Sequence, residues 1–216
     1  MSPTSKRSQT AFVWVILANL ASLAVIWWYD WQAHALLLVY WLETAVIAMV
    51  YAAKIRRAEG TDDPRDSRSW TKFAGRPAEW YIGKSNAKVA DGIVLTFIGP
   101  WLLTGAVILV IPLIEDLTVE FASLEVVVLA AASLVGYHCF SYWITYVGRR
   151  EYERRGPVSL LVEPGPYLWA LLASVFVGLG ATQFTRNPAT LIGSLVFCKT
   201  CADLLAHRRE RKRMLE

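Results

Sequence analysis

The feature that most constrains this chain is a series of six apolar blocks, each about as long as a bilayer is thick. They cover residues 11–29, 33–53, 92–114, 124–147, 167–184 and 188–206. A hydrocarbon core of about 30 Å needs roughly 20 helical residues at a rise of about 1.5 Å each. The blocks are too long, and alternate too little, to be strands of a membrane barrel. The sequence therefore predicts an all-α fold, a polytopic bundle of six transmembrane helices that forms one integral membrane domain over residues 1–216.

Composition agrees with this class and disfavours a nucleic-acid-binding protein. Apolar and aromatic residues make up 55% of the chain, and the mean hydropathy is +0.37. Charged residues make up 19%, below the roughly 25% of soluble domains. The net charge of +4 would suggest nucleic acid in a soluble protein, but here the basic residues lie between apolar blocks. We therefore expect no nucleic-acid partner.

The first block raises the alternative of a cleaved signal peptide. Lys6 and Arg7 precede it, as the basic start of a signal peptide would. However, the block is long and ends in the aromatic residues Trp27, Trp28 and Tyr29, and no clear cleavage site of small residues follows. The sequence favours an uncleaved membrane span.

Every second connection between the blocks is basic, and this predicts the orientation. The basic segments are the N-terminal tail with Lys6 and Arg7, the loop 54–91, the connection with Arg149, Arg150, Arg154 and Arg155, and the C-terminal tail with Arg208, Arg209, Arg211, Lys212 and Arg213. The opposite connections hold only Arg186. Because basic residues concentrate on the cytoplasmic side, we expect a multi-pass protein of the cell membrane with both termini in the cytoplasm. The expected partners are the lipid bilayer and, at the basic loops, anionic lipid.

The cytoplasmic loop 54–91 is the longest segment outside the blocks. Its polar part, Glu59 to Ser69, is predicted to be flexible. The part from Trp70 to Ile82 mixes aromatic and basic residues, which is typical of a segment on the membrane surface or of an aromatic belt beside the third span. Residues 158–166 are too short to span and are expected at the membrane interface.

Five ionisable residues lie within or next to the apolar blocks, where charge is costly without a partner or water. Glu43 lies in the second block and His138 in the fourth, while Lys199, Asp203 and His207 follow one another in the sixth at intervals of four. That interval aligns the three along one stripe of a helix. We predict a buried polar cluster in which Glu43 pairs with Lys199, with His138 and Asp203 close by.

Several roles for this cluster stay open at this point. It either fixes the helix register, conducts a proton or small polar solute, or supplies acid and base to a membrane-embedded enzyme through His138 with Glu43 or Asp203. A scaffold whose basic loops bind lipid is a third possibility. No compact ligand motif of the HExxH type is present, and Cys198 and Cys201 lie in an apolar helix rather than a redox fold, so no metal or cofactor is expected.

Short motifs along the chain also resemble a known family. They are Tyr40-Trp41-Leu42-Glu43, Lys54, His138, Phe140-Ser141, Glu151-Tyr152, Pro166-Tyr167, Lys199, Asp203 and His207. Their order is similar to that of a family of multi-pass membrane proteins of unknown function found largely in halophilic archaea. The resemblance covers the second span and the C-terminal half, and it includes the five polar residues among the recurring positions. It departs where Leu168 and Trp169 follow the Pro-Tyr pair, since an arginine or histidine is common there. It implies a membrane protein and no reaction.

Overall fold

The structure is a computed structural model that describes residues 33–63, 71–114, 121–187 and 190–201. Within these ranges the chain is helical and forms no β-strand beyond one isolated bridge between Phe73 and Arg76. The predicted all-α class is confirmed for these residues. The first predicted span and the end of the sixth lie outside them.

Six α-helices run through the described ranges. They are α1 (Ala33–Arg57), α2 (Asn86–Val110), α3 (Leu124–Ser141), α4 (Pro157–Val162), α5 (Gly165–Thr185) and α6 (Thr190–Cys201). Short 3-10 turns cover Ala78–Tyr81, Ile111–Leu113 and Glu151–Glu153, and α3 continues as a π-helix over Tyr142–Val147.

Among the described residues, four helical stretches are long and apolar enough to cross a membrane. They are His34–Arg57, Asn86–Leu113, Leu124–Val147 and Pro157–Thr185. They correspond to the second to fifth predicted spans, although the helices at both ends of the predicted loop 54–91 extend into it. The sixth predicted span corresponds to α6, whose described part is shorter than a bilayer crossing. The count of six spans and the orientation stay predictions.

Helix α1 is the centre of the bundle, because it contacts α2, α3, α4 and α5. Its tightest tie is to α2, where Trp41 and Trp101 stack with ring centroids 4.3 Å apart. Each indole Nε1 donates to the other residue's carbonyl oxygen, at 2.8 and 2.9 Å. A Cβ on Gly105 would lie 2.5 Å from Trp41 Cζ2, so the glycine is what lets the indole lie against α2. In lipid, such pairing satisfies polar groups that water cannot reach.

Apolar side chains form two buried clusters along α1. One surrounds the start of the helix and includes Leu37, Ile108 and Leu191. The other surrounds its end and includes Ile55 and Leu160. Along α1 the first cluster ends at Tyr40 and the second begins at Ile47, so Glu43 occupies the interval between them.

The aromatic segment before α2 is not simply laid on the membrane surface, as one interpretation of the sequence proposed. Phe73 and Tyr81 are buried in the protein core, and Tyr81 Oη donates to Phe73 O at 2.8 Å. Burial raises the pKa of the Tyr81 phenol above its ordinary value. Ile82 is exposed and Trp80 partly so. The segment therefore divides its aromatic side chains between core and surface.

Residues 59–63 and helix α4 hold each other in place, which corrects the expectation of flexibility for this part of segment 59–69; residues 64–69 lie outside the described residues. Asp62 Oδ1 accepts hydrogen bonds from the amides of Val158 (2.7 Å) and Ser159 (3.1 Å), at the start of α4. The Glu59 amide donates to Tyr152 O at 2.8 Å. Residues 158–162 are all buried within the protein, and their expected position at the membrane interface stays a prediction. Segment 59–63 is thus fixed rather than flexible, because its polar groups satisfy the open end of a helix.

Candidate functional site

Glu43 of α1 and Lys199 of α6 are in direct contact. Lys199 Nζ lies 2.9 Å from both carboxylate oxygens of Glu43. The Glu43 side chain is only 13% exposed and the Lys199 side chain only 17%. This geometry agrees with the predicted pairing. Glu43 and Lys199 are the charged side chains of their helices at this level, and each lies on the face turned to the other helix. Because an unpaired charge is costly where water is scarce, the two side chains pair.

Two tyrosines complete the surroundings of the Lys199 ammonium. Nζ donates to Tyr167 Oη at 2.9 Å, and it lies 5.3 Å from the ring centre of Tyr40 and 5.6 Å from that of Tyr167. An ammonium has three N–H donors, and here three oxygens lie within reach. The two rings add cation–π attraction. Neither tyrosine was predicted as a partner; the available signal was Tyr40 three residues before Glu43, on the same helical face.

His138 shares a groove with Glu43. The groove has a volume of about 630 Å³ and is walled mainly by α3. Its remaining lining residues are Val126, Leu129, Ala130, Ser133, Leu134 and Tyr137. His138 is partly buried. The Glu43 carboxylate therefore meets Lys199 and also borders an otherwise largely apolar groove that carries an imidazole.

The other two residues of the predicted cluster, Asp203 and His207, lie outside the described residues. Among the residues that the structure describes, no group of three His, Cys, Asp or Glu side chains is placed to hold a metal ion. Cys198 and Cys201 are free thiols beside Lys199 on α6.

The chemistry open to this centre is proton exchange and polar recognition. In a low-dielectric interior, an ion pair is strong while both partners are charged, and removal of one charge leaves the other costly. A proton that reached Glu43 from the groove would neutralise the carboxylate and remove the negative charge that faces the Lys199 ammonium. The pair thus has two alternative states that differ by one proton.

A second polar cluster, which the sequence reasoning missed, ties the connection 147–157 to the end of α4 and the π-helix before it to α1. Arg155 lies 2.6 Å from Glu163, and Tyr146 Oη donates to Lys54 O at 2.8 Å. Burial acts to lower the pKa of the Arg155 guanidinium, but the adjacent Glu163 carboxylate outweighs it and raises that pKa. In the sequence, Arg155 contributed only to the prediction of which connections face the cytoplasm. The spacing of Arg155 and Glu163 gave no signal of pairing, because the partners come together through the fold.

Fold and site together define the class: the part of the chain that the structure describes is helical, its four helices suited to cross a membrane indicate a membrane protein, and a partly buried ion pair joins α1 and α6. The chain matches, over residues 1–216, the Family of unknown function (DUF6498), and it belongs to this family. No curated protein and no solved structure matches it. The expectation of a family of unknown function is confirmed, while the link to halophilic archaea stays a prediction.

Proposed function

We propose that the chain is a six-span protein of the cell membrane, with both termini in the cytoplasm, that provides a pathway for a proton or small polar solute. The centre of this pathway is Glu43, with Lys199 and Tyr167 on one side and His138 across the groove. The observation that carries the proposal is that the carboxylate is paired with an ammonium and also borders a groove with an imidazole.

The proton is the species that this chemistry favours. Carboxylate, imidazole, phenol and ammonium groups each accept or release protons, and titratable chains of this kind are typical of proton relays in membrane proteins. The sequence stripe that continues from Lys199 to Asp203 and His207 extends the pathway in the direction of the cytoplasm. Within this proposal, His138 passes the proton to Glu43, and its arrival loosens Glu43 from Lys199.

Proton flux into liposomes tests the proposal. Purified protein is reconstituted with a pH-sensitive dye inside, and a potassium gradient with valinomycin drives protons inward. We expect flux above that of empty liposomes for the wild type, and its loss in Glu43→Gln and His138→Gln. Glu153→Gln is the matched control, because this carboxylate is exposed and does not line the groove. Wild-type flux equal to that of empty liposomes would overturn the proton pathway.

A structural clamp is the second candidate, and one observation favours it. Lys199 already has three oxygen acceptors within hydrogen-bond distance, so the pair needs no ligand to satisfy the ammonium. A clamp predicts less folded Glu43→Gln protein and no flux above empty liposomes even in the wild type, whereas a pathway predicts wild-type flux that an equal amount of folded Glu43→Gln lacks. Size-exclusion chromatography of the reconstitution samples separates the two outcomes.

A further inference from the structure

Three basic side chains surround one tryptophan before and at the start of α2. The cationic groups of Arg76, Lys84 and Lys88 lie 5.3, 5.3 and 5.1 Å from the ring centre of Trp80. Each is close enough for a cation–π contact. We call these four residues the Trp80 cluster. Its three cations come from different segments: Arg76 from the turn 73–76, Lys84 from the residues after the 3-10 turn, and Lys88 from the first turn of α2. The fold brings them together at one place on the surface.

Within the described part of the chain, no acidic side chain pairs with the cations of the Trp80 cluster. Asp91, one turn beyond Lys88 on α2, lies 3.6 Å from Arg56 instead. Glu79 is the acidic residue of the 3-10 turn itself. Three cations around a single ring repel one another, and an anion that binds between them would relieve that repulsion.

The position of the cluster identifies the kind of anion. Lys88 lies in the first turn of Asn86–Leu113, a stretch suited to cross the membrane, so the cluster lies at the end of a span. Ile82, between Trp80 and Lys84, is 53% exposed. Tryptophan and lysine at a span end are typical of the headgroup layer, where the ring meets the acyl boundary and the cations reach phosphates.

We infer that the Trp80 cluster binds the headgroup phosphate of an anionic membrane lipid. Arg76, Lys84 and Lys88 contact the phosphate oxygens, while Trp80 and Ile82 lie against the upper part of the lipid. The inference rests on the membrane assignment within the proposed function and is independent of the Glu43 pathway, because the cluster shares no residue with the groove.

Native mass spectrometry of the detergent-purified chain tests this inference, with phosphatidylglycerol or phosphatidylcholine added as the probe. We expect the wild type to retain phosphatidylglycerol in preference to phosphatidylcholine. In Arg76→Gln/Lys84→Gln/Lys88→Gln the affinity should fall on the order of 100-fold, since each cation near an anionic surface contributes roughly fivefold. The control Arg186→Gln removes an exposed cation that lies outside the basic loops and should retain the lipid as the wild type does.

Single variants keep the test decisive if the triple variant fails to fold. Lys84→Gln and Lys88→Gln each alter one exposed side chain and should each weaken retention roughly fivefold. Equal retention by wild type and folded variants, or equal retention of both lipids, would overturn the inference. So would displacement of the lipid by millimolar inorganic phosphate, because that result would assign the cluster to a free anion. The proton-flux assay involves none of these residues, so the two proposals fail independently.

Discussion

Removal of either partner of the Glu43–Lys199 pair should destabilise the fold more than removal of both. Glu43→Gln replaces two charge-assisted bonds from Lys199 by one bond to a neutral amide oxygen. A hydrogen bond to a charged group contributes about 1.5–3 kcal/mol and a neutral one about 1, while bonds between membrane helices reach at most about 1.7. We therefore expect Glu43→Gln to lower the free energy of unfolding by about 2 kcal/mol.

Lys199→Met should cost a similar amount, because Glu43 keeps only the Tyr167 hydroxyl, at 3.5 Å. The double variant buries no unpaired charge and should lose less than about 1 kcal/mol. The cycle then gives a coupling of about 3 kcal/mol between the two substitutions. Reversible unfolding by SDS in mixed micelles, followed by circular dichroism, measures each value.

The exposed pair Arg150–Glu153 is the matched control for this cycle. Its side chains are 73% and 44% exposed, so removal of either should change the free energy of unfolding by less than about 0.5 kcal/mol. The reasoning is refuted if the buried pair behaves like this control, with small single effects that add in the double variant.

Three further variants test local features of the fold. Gly105→Ala places a methyl group against the Trp41 indole and should lower the free energy of unfolding by about 1–3 kcal/mol. Gly99→Ala, on the same helix with nothing within 4 Å of the added methyl group, is the control and should be neutral or stabilising. Thermal unfolding compares the two variants. Asp62→Ala removes the cap of α4 and should cost about 1 kcal/mol, with Asp62→Asn largely restoring it in the same measurement. The raised pKa of Tyr81 means that its contribution to stability is complete below about pH 10 and is lost as the pH rises through the folded-state value. Alkaline titration of unfolding should therefore show a weaker pH dependence for Tyr81→Phe than for the wild type, and an unchanged profile would contradict this.

Much of the architecture could be predicted from the sequence, because a bilayer imposes a length and an apolar composition on every span. The helices around Glu43 and His138 begin and end within several residues of the predicted blocks. The connections were harder to predict. Residues 59–63 have the composition of a loose loop, yet Asp62 is held by the amides of α4. Polar composition shows that a segment prefers water, but it does not show which helix end the segment satisfies.

The candidate site, too, could be predicted only in part from the sequence. Because an isolated charge in an apolar block is costly, the sequence alone indicated that Glu43 needs a cation such as Lys199. The roles of Tyr40 and Tyr167 could not be predicted, since tyrosines near span ends are common for reasons of membrane anchoring. The Trp80 cluster was seen only as general basic and aromatic character, because its residues come together through a turn and the start of a helix.

The reciprocal bonds between Trp41 and Trp101 limit how this bundle can move. A slide of α1 along α2 by one helical turn, about 5.4 Å, would break both bonds at once and take two part-buried indole donors away from their acceptors. The two helices are therefore held at one relative height. The groove at Glu43 is walled mainly by α3, on which no residue from 124 to 141 is buried, so a movement of α3 away from the α1–α2 pair would widen it.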